Sequence, residues 1–333
     1  MVLRGLSRED SPMTVLVTGS SGHLGEALMR TLRAAGRPTL GLDLVPSPFA
    51  DVVGSIVDRA AVRRAMAGVR TVLHTSTLHK PHVGTHGRDA FVETNVRGTL
   101  ILLEEAARAG VASFVMTSTT SAFGDALKPP PGEPAAWIDE TVAAVPKNIY
   151  GVTKTAAEGL CRLFWRNEKL PCVVLRTSRF FPEADDDPEA RAAFDSDNLK
   201  ANEFLFRRVA IEDVVDACLV AAERAPAVGF GLYVVSATTP FRREDAARLR
   251  ADAAAVARER VFGWQDEYAK RGWRMAASID RVYDNALARA ELGWRPKWDF
   301  AAVVARLKET GDIRGPMGKA VGEKGYHPTG AGE

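Results

Sequence analysis

Residues 15–43 read VLVTGSSGHLGEALMRTLRAAGRPTLGLD, and this stretch organises the chain. The apolar residues Val15 to Val17 predict a short buried strand, and Thr18 to Gly25 form a turn that contains three glycines. Glu26 to Ala35 has helical spacing, and Thr39 to Leu42 predicts a second strand. The order strand, turn, helix, strand is typical of a nucleotide-binding unit.

Each glycine of the turn has a physical reason. Gly19 allows the chain to turn sharply, Gly22 allows backbone N–H groups to approach a pyrophosphate, and Gly25 allows the helix to pack against the strand. The phosphates are expected at the positive end of the following helix. The predicted contacts of this turn with a dinucleotide are Gly19, Ser21, Gly22, His23, Leu24 and Gly25.

An acidic residue, Asp43, follows the second strand about 20 residues after the glycines. A carboxylate at this place accepts hydrogen bonds from the ribose hydroxyls of NAD and repels the 2′-phosphate of NADP. Between Leu44 and Asp51 there is no arginine or lysine to bind that phosphate. The sequence therefore predicts NAD as the cofactor.

The composition is that of a soluble globular protein, with 333 residues of which 46% are hydrophobic and 26% charged. The formal net charge is +2 and the basic residues are dispersed, which argues against a nucleic-acid partner. Cys161, Cys172 and Cys218 form no CxxC pattern, so we expect a reducing, cytoplasmic location. No apolar run approaches the ~20 residues of a membrane span, so no membrane partner is expected.

The alternation of strands and helices continues to Arg176 and predicts an α/β fold. We expect a Rossmann-type, doubly wound parallel sheet that binds ligands at the carboxyl ends of its strands, with a smaller, mainly helical C-terminal substrate lobe. Met13 is a possible true start. The predicted domains are a disordered extension (1–12), an NAD-binding domain (13–178), a substrate lobe from which a strand and a helix return to the main domain (179–312), and a flexible tail (313–333).

Tyr150 and Lys154 are four residues apart, and they therefore lie on one face of a predicted helix, Asn148 to Glu168. A tyrosine has a pKa of about 10, and a fixed cation nearby stabilises its phenolate. Tyr150 is thus a candidate acid/base, and Lys154 is expected to support it and to donate to the nicotinamide ribose. The pattern alone is weak, because tyrosines and lysines are common on helices, but its place after the fifth predicted strand strengthens it.

A run of hydroxyl side chains, Thr117 to Ser121, follows the fifth predicted strand. At that place a hydroxyl faces the nicotinamide end of the cofactor and can hold the reacting oxygen of a substrate. The alternative is a run of Ser and Thr selected only for strand propensity and turn chemistry.

Together these patterns resemble the extended short-chain dehydrogenases/reductases, and more narrowly the NAD-dependent epimerase/dehydratase family. The resemblance covers Val15 to about Leu307. It rests on the glycine turn, Asp43, Asn95-Val96-Arg97-Gly98-Thr99, Thr117-Ser118-Thr119, Tyr150-x-x-x-Lys154 and the segment Asp280 to Phe300.

The resemblance implies a role for several residues. Counting back from Phe123-Gly124, where the family usually has Tyr-Gly, Thr119 falls on the catalytic Ser/Thr, with Tyr150 as acid/base and Lys154 as its electrostatic partner. Further cofactor contacts are implied at Ser55, Ile56, Ser76, Asn95 and Thr117, although the family more often has an acid at Ser55. Helices such as Arg88 to Ala109 often pair family members into homodimers.

Two departures from the family concern the substrate. Arg179 replaces an asparagine that is common in members acting on nucleotide sugars, and the segment from Pro182 to Glu212 is short for a uridine-diphosphate pocket. Both favour a smaller, anionic substrate such as a sugar acid or hydroxy acid, with Arg179 as a carboxylate clamp. The alternative is a surface arginine or one paired with Asp185 to Asp187. Arg207 and Arg208 either reach the substrate or are solvated.

Four histidines, His74, His79, His82 and His86, lie close together in sequence. His74 falls within a predicted strand, and the others lie in a loop with no carboxylate before Asp89, so no metal site is predicted. His79 is expected to line the substrate mouth.

The sequence predicts an NAD-dependent oxidoreductase that transfers hydride between NAD and a hydroxyl-bearing small substrate, namely a sugar, sugar acid or hydroxy acid. One alternative is a nucleotide-sugar 4-epimerase, which returns the hydride to the substrate. Another is a non-catalytic, NAD-sensing regulator.

Overall fold

The computed structural model describes residues 14–185 and 188–325. Its strands are β1 (Thr14–Thr18), β2 (Thr39–Asp43), β3 (Val52–Val53), β4 (Val69–His74), β5 (Ser113–Thr119), β6 (Ala136–Ile138), β7 (Cys172–Thr177), β8 (Phe230–Val235) and β9 (Arg281–Tyr283). Its helices are α1 (His23–Ala34), α2 (Arg59–Ala65), α3 (Arg88–Phe91), α4 (Gly98–Ala109), α5 (Ile149–Glu168), α6 (Pro188–Ala193), α7 (Ser196–Glu203), α8 (Ile211–Val228), α9 (Ala246–Arg260), α10 (Trp264–Arg271), α11 (Phe300–Thr310) and α12 (Pro316–Val321).

Seven of these strands form one parallel sheet in the order β3-β2-β1-β4-β5-β7-β8. The chain moves outward from β1 to β3 and then returns to β4 on the other side of β1. The carboxyl ends of β1 and β4 therefore flank the point where the strand order reverses, which is where open α/β sheets bind ligands. The predicted Rossmann-type, doubly wound fold is confirmed.

Both faces of the sheet are covered, which explains why its strands are apolar on both sides. On one face, α1 and α8 bury Leu28 and Val214 in a core that also contains Val15 and Val17. On the other face, α2, α4 and α5 cover Leu16 in a second core. The strands and helices that carry the ligand-facing ends are therefore held from both sides.

The C-terminal part is mainly helical and has its own core around α7, α9, α10 and α11. A separate two-stranded sheet pairs β6, from the segment between β5 and α5, with β9 of the C-terminal part. After position 179, helix α8 packs on the main sheet and strand β8 pairs with β7. The boundary between residues 178 and 179 stays a prediction.

Some segments differ from the sequence prediction. The long helix from Arg88 to Ala109 contains a π-helical turn at Val92–Arg97, and the segment from Thr119 to Lys147 contains a 3₁₀ turn (Thr120–Leu127) and β6. Helix α9 begins at Ala246 after a 3₁₀ turn (Arg243–Asp245), and its backbone breaks at Asp252. A second π-helical turn is Ala288–Leu292 and another 3₁₀ turn is Lys80–Gly84.

The tail that we expected to be flexible from residue 313 contains α12. Ile313 is 4% and Val321 7% exposed, and α12 packs on α1 and α8 because these apolar side chains complete the cores there. The predicted extension 1–12, Met13 and residues 326–333 lie outside the described residues.

Candidate functional site

The glycine turn lies between the end of β1 and α1, at the carboxyl edge of the sheet. Gly19 has a φ of +71°, and a Cβ at this residue would lie 2.7 Å from the backbone nitrogen of Ser76. A Cβ at Gly25 would lie 1.9 Å from the carbonyl oxygen of Gly19. Glycine is therefore required at both places, at the first for backbone conformation and at both for space.

The first turn of α1 begins at His23 and has no side-chain cap from Gly22. This start of the helix lines the cavity described below, and the first N–H groups and the positive end of the helix dipole lie at this end. Such a helix start favours an anion. The arrangement fits the pyrophosphate of a dinucleotide.

Asp43 ends β2 and stands beside the turn. Its Oδ2 atom accepts a hydrogen bond from the backbone N–H of Ser21 at 2.8 Å, and its Oδ1 atom accepts one from Val45 at 2.9 Å. These bonds hold the carboxylate at the edge of the cavity, where a ribose of a dinucleotide bound at the turn would lie.

One cavity of about 850 Å³ runs along the carboxyl edge of the sheet. A cavity of this size accommodates a ligand as large as a dinucleotide. Its wall contains the predicted residues Gly19, Ser21, Gly22, His23, Leu24, Gly25, Asp43, Ser55, Ile56, Ser76, His79, Thr117, Thr119, Tyr150 and Arg179. The structure thus brings the glycine turn, Asp43, Thr119 and Tyr150 to one cavity, whereas the predicted residues Lys154 and Asn95 do not line it. The residues present fit NAD.

Two of the implied cofactor contacts, Ser55 and Ile56, follow β3. The Ser55 hydroxyl accepts a hydrogen bond from the backbone N–H of Val57 at 3.2 Å, while Ile56 is 5% exposed. A Cβ at Gly98 would lie 2.6 Å from the Cδ1 atom of Ile56, so glycine at the start of α4 makes room for this side chain. Ile56 therefore presents an apolar surface to the cavity.

Tyr150 lies in the first turn of α5, because the Asn148 side chain caps this helix by accepting a hydrogen bond from the backbone N–H of Gly151 at 2.9 Å. Tyr150 and Thr119, at the end of β5, form a side-chain hydrogen bond. Burial raises the pKa of the Tyr150 phenol to about 12, and the bond with Thr119 opposes this rise. We expected the neighbouring cation to lower this pKa, but the pKa is raised, because burial is the dominant cause.

Lys154 is 2% exposed and is not part of the cavity wall; it follows Tyr150 by one turn of α5. Burial lowers its pKa to about 8, and the negative charge of Glu158, one further turn along the helix, opposes this change. The ammonium is therefore near the limit at which it keeps its proton at neutral pH.

Asn95, which the family resemblance implied as a cofactor contact, lies in the π-helical turn and connects two elements. Its Oδ1 atom accepts hydrogen bonds from the Leu78 backbone at 2.9 Å and from the Thr77 hydroxyl at 3.0 Å. Its amide donates to the Leu78 carbonyl at 2.9 Å and to the Thr153 hydroxyl at 3.0 Å. Asn95 therefore fixes the loop after β4 to α5 rather than lining the cavity.

Thr117 faces the cavity, but its hydroxyl also forms a hydrogen bond with the Cys218 thiol on α8. The Ser76 backbone N–H donates to the Thr18 hydroxyl at 3.4 Å. The two residues contribute to the ends of β5 and β4, respectively, that form the cavity wall.

The four histidines do not form one cluster, but the ring of His82 contacts those of His79 and His86, with centroids 4.5 and 5.1 Å apart. His74 in β4 is fully buried and its ring nitrogens lie 2.8 Å from the Thr18 hydroxyl and 3.0 Å from the Thr99 hydroxyl. Burial, with a smaller contribution from Lys154, lowers the pKa of His74 to about 3. His79 lines the cavity, and the His79 backbone N–H donates to His82 Nδ1 at 3.0 Å. Among residues 14–185 and 188–325, no group of three metal-ligating side chains is present.

Arg179 lines the cavity and is paired with an acid, as in the alternative interpretation. Its Nη1 atom lies 3.0 Å from Asp185 Oδ2, and Arg207 shares the same carboxylate at 3.3 Å. Arg208 is 4% exposed and is held by Glu203 at 2.8 Å, so it is neither solvated nor in the cavity wall. Asp186 and Asp187, the other acids considered, lie outside the described residues.

Sequence reasoning missed a buried network under the site. Glu158 accepts hydrogen bonds from the Ser118 hydroxyl at 2.6 Å and from Arg176 at 3.0 and 2.7 Å. Glu158 follows Lys154 by four residues and so lies on the same helix face as Tyr150 and Lys154. This spacing could have identified it. Sequence reasoning also missed Arg281 and Tyr283, which line the cavity from β9. No local pattern linked β9 to this edge of the sheet.

The sequence model described as "NAD dependent epimerase/dehydratase family" matches residues 15–235, more than half of the chain. The chain belongs to this family. It is accordingly an extended short-chain dehydrogenase/reductase, and NAD, which the family description names, is its cofactor. Among the described residues, no helix is both long and apolar enough to span a membrane.

The chain is also similar to individual proteins. It is 28% identical over 329 residues to a dTDP-glucose 4,6-dehydratase of Streptomyces antibioticus, covering 88% of this chain and 91% of that protein. It is 32% identical over 168 residues to an uncharacterized protein, y4nG, of Sinorhizobium fredii, covering 49% of this chain but only 40% of that protein. A short-chain dehydrogenase/reductase superfamily protein from Agrobacterium tumefaciens, solved with bound NAD, has a TM-score of 0.62 at 23% identity, covering 90% and 98% of the two chains. At this identity the structural likeness shows the fold.

Proposed function

We propose that this protein is an NAD-dependent oxidoreductase that acts on a hydroxyl-bearing small substrate, with Tyr150 as acid/base. One observation carries the proposal. The Tyr150 phenol and the Thr119 hydroxyl form a hydrogen bond on the wall of the same cavity whose other end contains the glycine turn and Asp43. A substrate hydroxyl at Tyr150 is thereby adjacent to the place expected for the nicotinamide.

The geometry supports a simple division of tasks. Tyr150 takes the proton of the substrate hydroxyl, Thr119 holds that oxygen, and Lys154 supplies positive charge behind the phenol. NAD, when bound, supplies the hydride acceptor. Because burial raises the pKa of Tyr150 to about 12, this residue is a phenol at neutral pH and needs that positive charge to act as a base.

Within this function we favour a dehydrogenase acting on a sugar, sugar acid or hydroxy acid. The segment from Pro182 to Glu212 is short, and it contains α6 and α7. Arg179, Arg207 and Arg281 line the same end of the cavity, which favours an anionic group there. Arg179 can serve as a clamp only if a substrate carboxylate competes with Asp185 for its guanidinium.

A nucleotide-sugar 4-epimerase is the second candidate. It shares the first chemical step, and the similarity to a dTDP-glucose 4,6-dehydratase supports a nucleotide-sugar substrate. The third candidate, an NAD-sensing regulator without turnover, has the least support, because Tyr150, Lys154 and Thr119 are all retained.

The deciding experiment mixes the purified protein and NAD with sugar acids, hydroxy acids, free sugars and nucleotide sugars and follows NADH absorbance. We expect NADH to accumulate with a sugar acid or hydroxy acid. Conversion of a nucleotide sugar into its epimer without net NADH would establish the epimerase instead. NAD binding without any turnover would favour the regulator.

The preference for NAD over NADP depends on the charge of Asp43. We expect Asp43→Asn to weaken NAD binding by roughly 10- to 150-fold, because a charged hydrogen-bond acceptor is worth about 1.5–3 kcal/mol. The same change should strengthen NADP binding, because the repulsion of its 2′-phosphate is removed. Isothermal titration of both cofactors checks this.

The matched control for this change is Asp51→Asn. The Asp51 carboxylate pairs with Arg33 at 2.9 Å and with the Gly41 backbone at 2.8 Å and is not part of the cavity wall. It should leave the ratio of the two affinities unchanged. Tighter binding of NADP than of NAD by the natural protein would refute the proposed role of Asp43.

The homodimer and the cytoplasmic location stay predictions. Val92, Val152 and Leu163 are 48%, 47% and 41% exposed, which leaves apolar surface at the π-helical turn and along α5 for a second copy.

A further inference from the structure

Three polar side chains follow one another along the buried face of α5. Tyr150, Lys154 and Glu158 are successive i, i+4 neighbours, and they are 8%, 2% and 6% exposed. The proposed function uses the first two. The third, Glu158, is a charged group in the protein interior that this function leaves unexplained.

Glu158 is held on both carboxylate oxygens. The Ser118 hydroxyl and the Arg176 Nε atom donate to Oε1 at 2.6 and 3.0 Å, and the Arg176 Nη2 atom donates to Oε2 at 2.7 Å. Arg176 is itself 6% exposed, and its guanidinium lies 4.7 Å from the centre of the Phe123 ring. A carboxylate held by three such donors has a fixed position.

Lys154 has no comparable partner. Among the residues that the structure describes, none forms a hydrogen bond with its ammonium. Burial disfavours its charge, and Glu158 is the strongest influence in the opposite direction. An uncompensated ammonium in this place would lose its proton near neutral pH.

We propose that Glu158 is a positioning residue for the catalytic pair: it is the buried counterion that keeps Lys154 an ammonium behind Tyr150, and Arg176 and Ser118 hold it in place. This inference rests on the proposed function, because it assigns Glu158 a role through Lys154. Glu158 is thereby the third functional residue on the buried face of α5, after Tyr150 and Lys154.

The same network reaches the other catalytic group. Ser118 directly precedes Thr119 in β5, and Arg176 lies opposite Ser118 in the neighbouring strand β7. Glu158 therefore ties the helix that carries Tyr150 and Lys154 to the strand end that carries Thr119. The Glu158 carboxylate therefore acts on the charge of Lys154 and also fixes the separation between α5 and the end of β5.

The remaining ionisable groups near Lys154 do not replace Glu158. His74 on β4 is neutral, because burial lowers its pKa to about 3. Arg176 on β7 carries the same charge as Lys154 and is neutralised by Glu158. On α5 itself the other neighbours are Tyr150, a phenol, and Cys161, which opposes the loss of the proton less than Glu158 does.

The test is a pH titration of Lys154 in the full-length protein by carbon NMR of labelled lysine, with the signal assigned from a Lys154→Arg variant. We expect a midpoint near pH 8 in the natural protein, in line with the lowered pKa of Lys154. In Glu158→Gln the midpoint should fall by at least about one pH unit, because an opposite charge at this range typically shifts a pKa by 1–3 units.

Ser118→Ala is the matched control, because it removes one hydrogen bond to Glu158 and leaves the charge. Its midpoint should stay close to that of the natural protein, and so should that of Glu158→Asp. If Glu158→Gln does not fold, the double variant Glu158→Gln/Arg176→Met removes both charges without leaving one unpaired and should still lower the midpoint. An unchanged midpoint in the charge-removing variant, or an equal shift in Ser118→Ala, would overturn the proposal.

Turnover separates this inference from the proposed function. In Glu158→Gln the high-pH decline of kcat should move to lower pH by the same amount as the Lys154 midpoint, with little change in KM. A shifted midpoint with an unmoved kcat profile would refute the positioning role. A natural protein without turnover on any substrate would count against the proposed function, while the NMR comparison would still decide whether Glu158 is the counterion of Lys154.

Discussion

Replacing Tyr150 by phenylalanine is expected to lower kcat by roughly 10²- to 10⁴-fold, the usual contribution of a positioned acid/base. The change removes one hydroxyl, which forms a hydrogen bond with Thr119, and it keeps the ring that lines the cavity. NAD affinity should change little, because the glycine turn and Asp43 are untouched. Steady-state kinetics with the substrate that the NADH assay identifies measures kcat, and titration of NAD measures the cofactor affinity.

A second buried tyrosine provides the control. Tyr268 in α10 is 1% exposed and donates its hydroxyl to Asn202 at 3.0 Å in the core of the C-terminal part, away from the cavity. Tyr268→Phe should cost about 0.5–1.5 kcal/mol of unfolding free energy and leave kcat unchanged. If Tyr150→Phe lowers kcat no more than Tyr268→Phe does, Tyr150 is not the acid/base.

The second large effect is expected at Gly25. A Cβ there would lie 1.9 Å from the Gly19 carbonyl oxygen and 2.7 Å from the Ser20 Cα atom, so Gly25→Ala must displace the backbone of the glycine turn. We expect a loss of about 1–3 kcal/mol or more of unfolding free energy, as for other overpacked sites. NAD affinity should fall by at least roughly tenfold, or about 1.4 kcal/mol, because the displaced backbone carries the N–H groups expected at the pyrophosphate. Thermal unfolding with and without NAD measures both effects.

Gly159 is the matched control, because it also lies within a helix and a Cβ there would meet nothing within 4 Å. Gly159→Ala should be neutral or should stabilise the protein by about 0.5–1 kcal/mol, since alanine is the better helix residue. A Gly25→Ala protein that binds NAD as tightly as Gly159→Ala would show that the turn is not the pyrophosphate site.

Local patterns in the sequence predicted the fold and several residues of the site. Three apolar residues before a glycine turn, a helical stripe and an acid at the end of the next strand predicted β1, α1, β2 and the place of Asp43. The i, i+4 spacing placed Tyr150 and Lys154 on one helix face. These features depend on residues near one another in the chain, so periodicity and turn chemistry are sufficient to predict them.

What only the tertiary structure decided depends on groups distant in sequence or on burial. Ser118 and Glu158 are 40 residues apart, and the chain's folding brings them together with Arg176 under the catalytic pair. The sequence analysis offered two roles for Arg179, a substrate clamp and a partner of an acid. The packing of the segment after β7 pairs Arg179 with Asp185. The rise in the pKa of Tyr150, where a fall was expected, follows from desolvation, which depends on every element around the phenol. The sequence by itself determined that the glycine turn, Asp43, Thr119 and Tyr150 reach the carboxyl edge of the sheet. The arrival of Arg281 and Tyr283 at the same cavity, and the charges and partners of the site residues, were decided by the complete fold, because burial and long-range contacts exist only there.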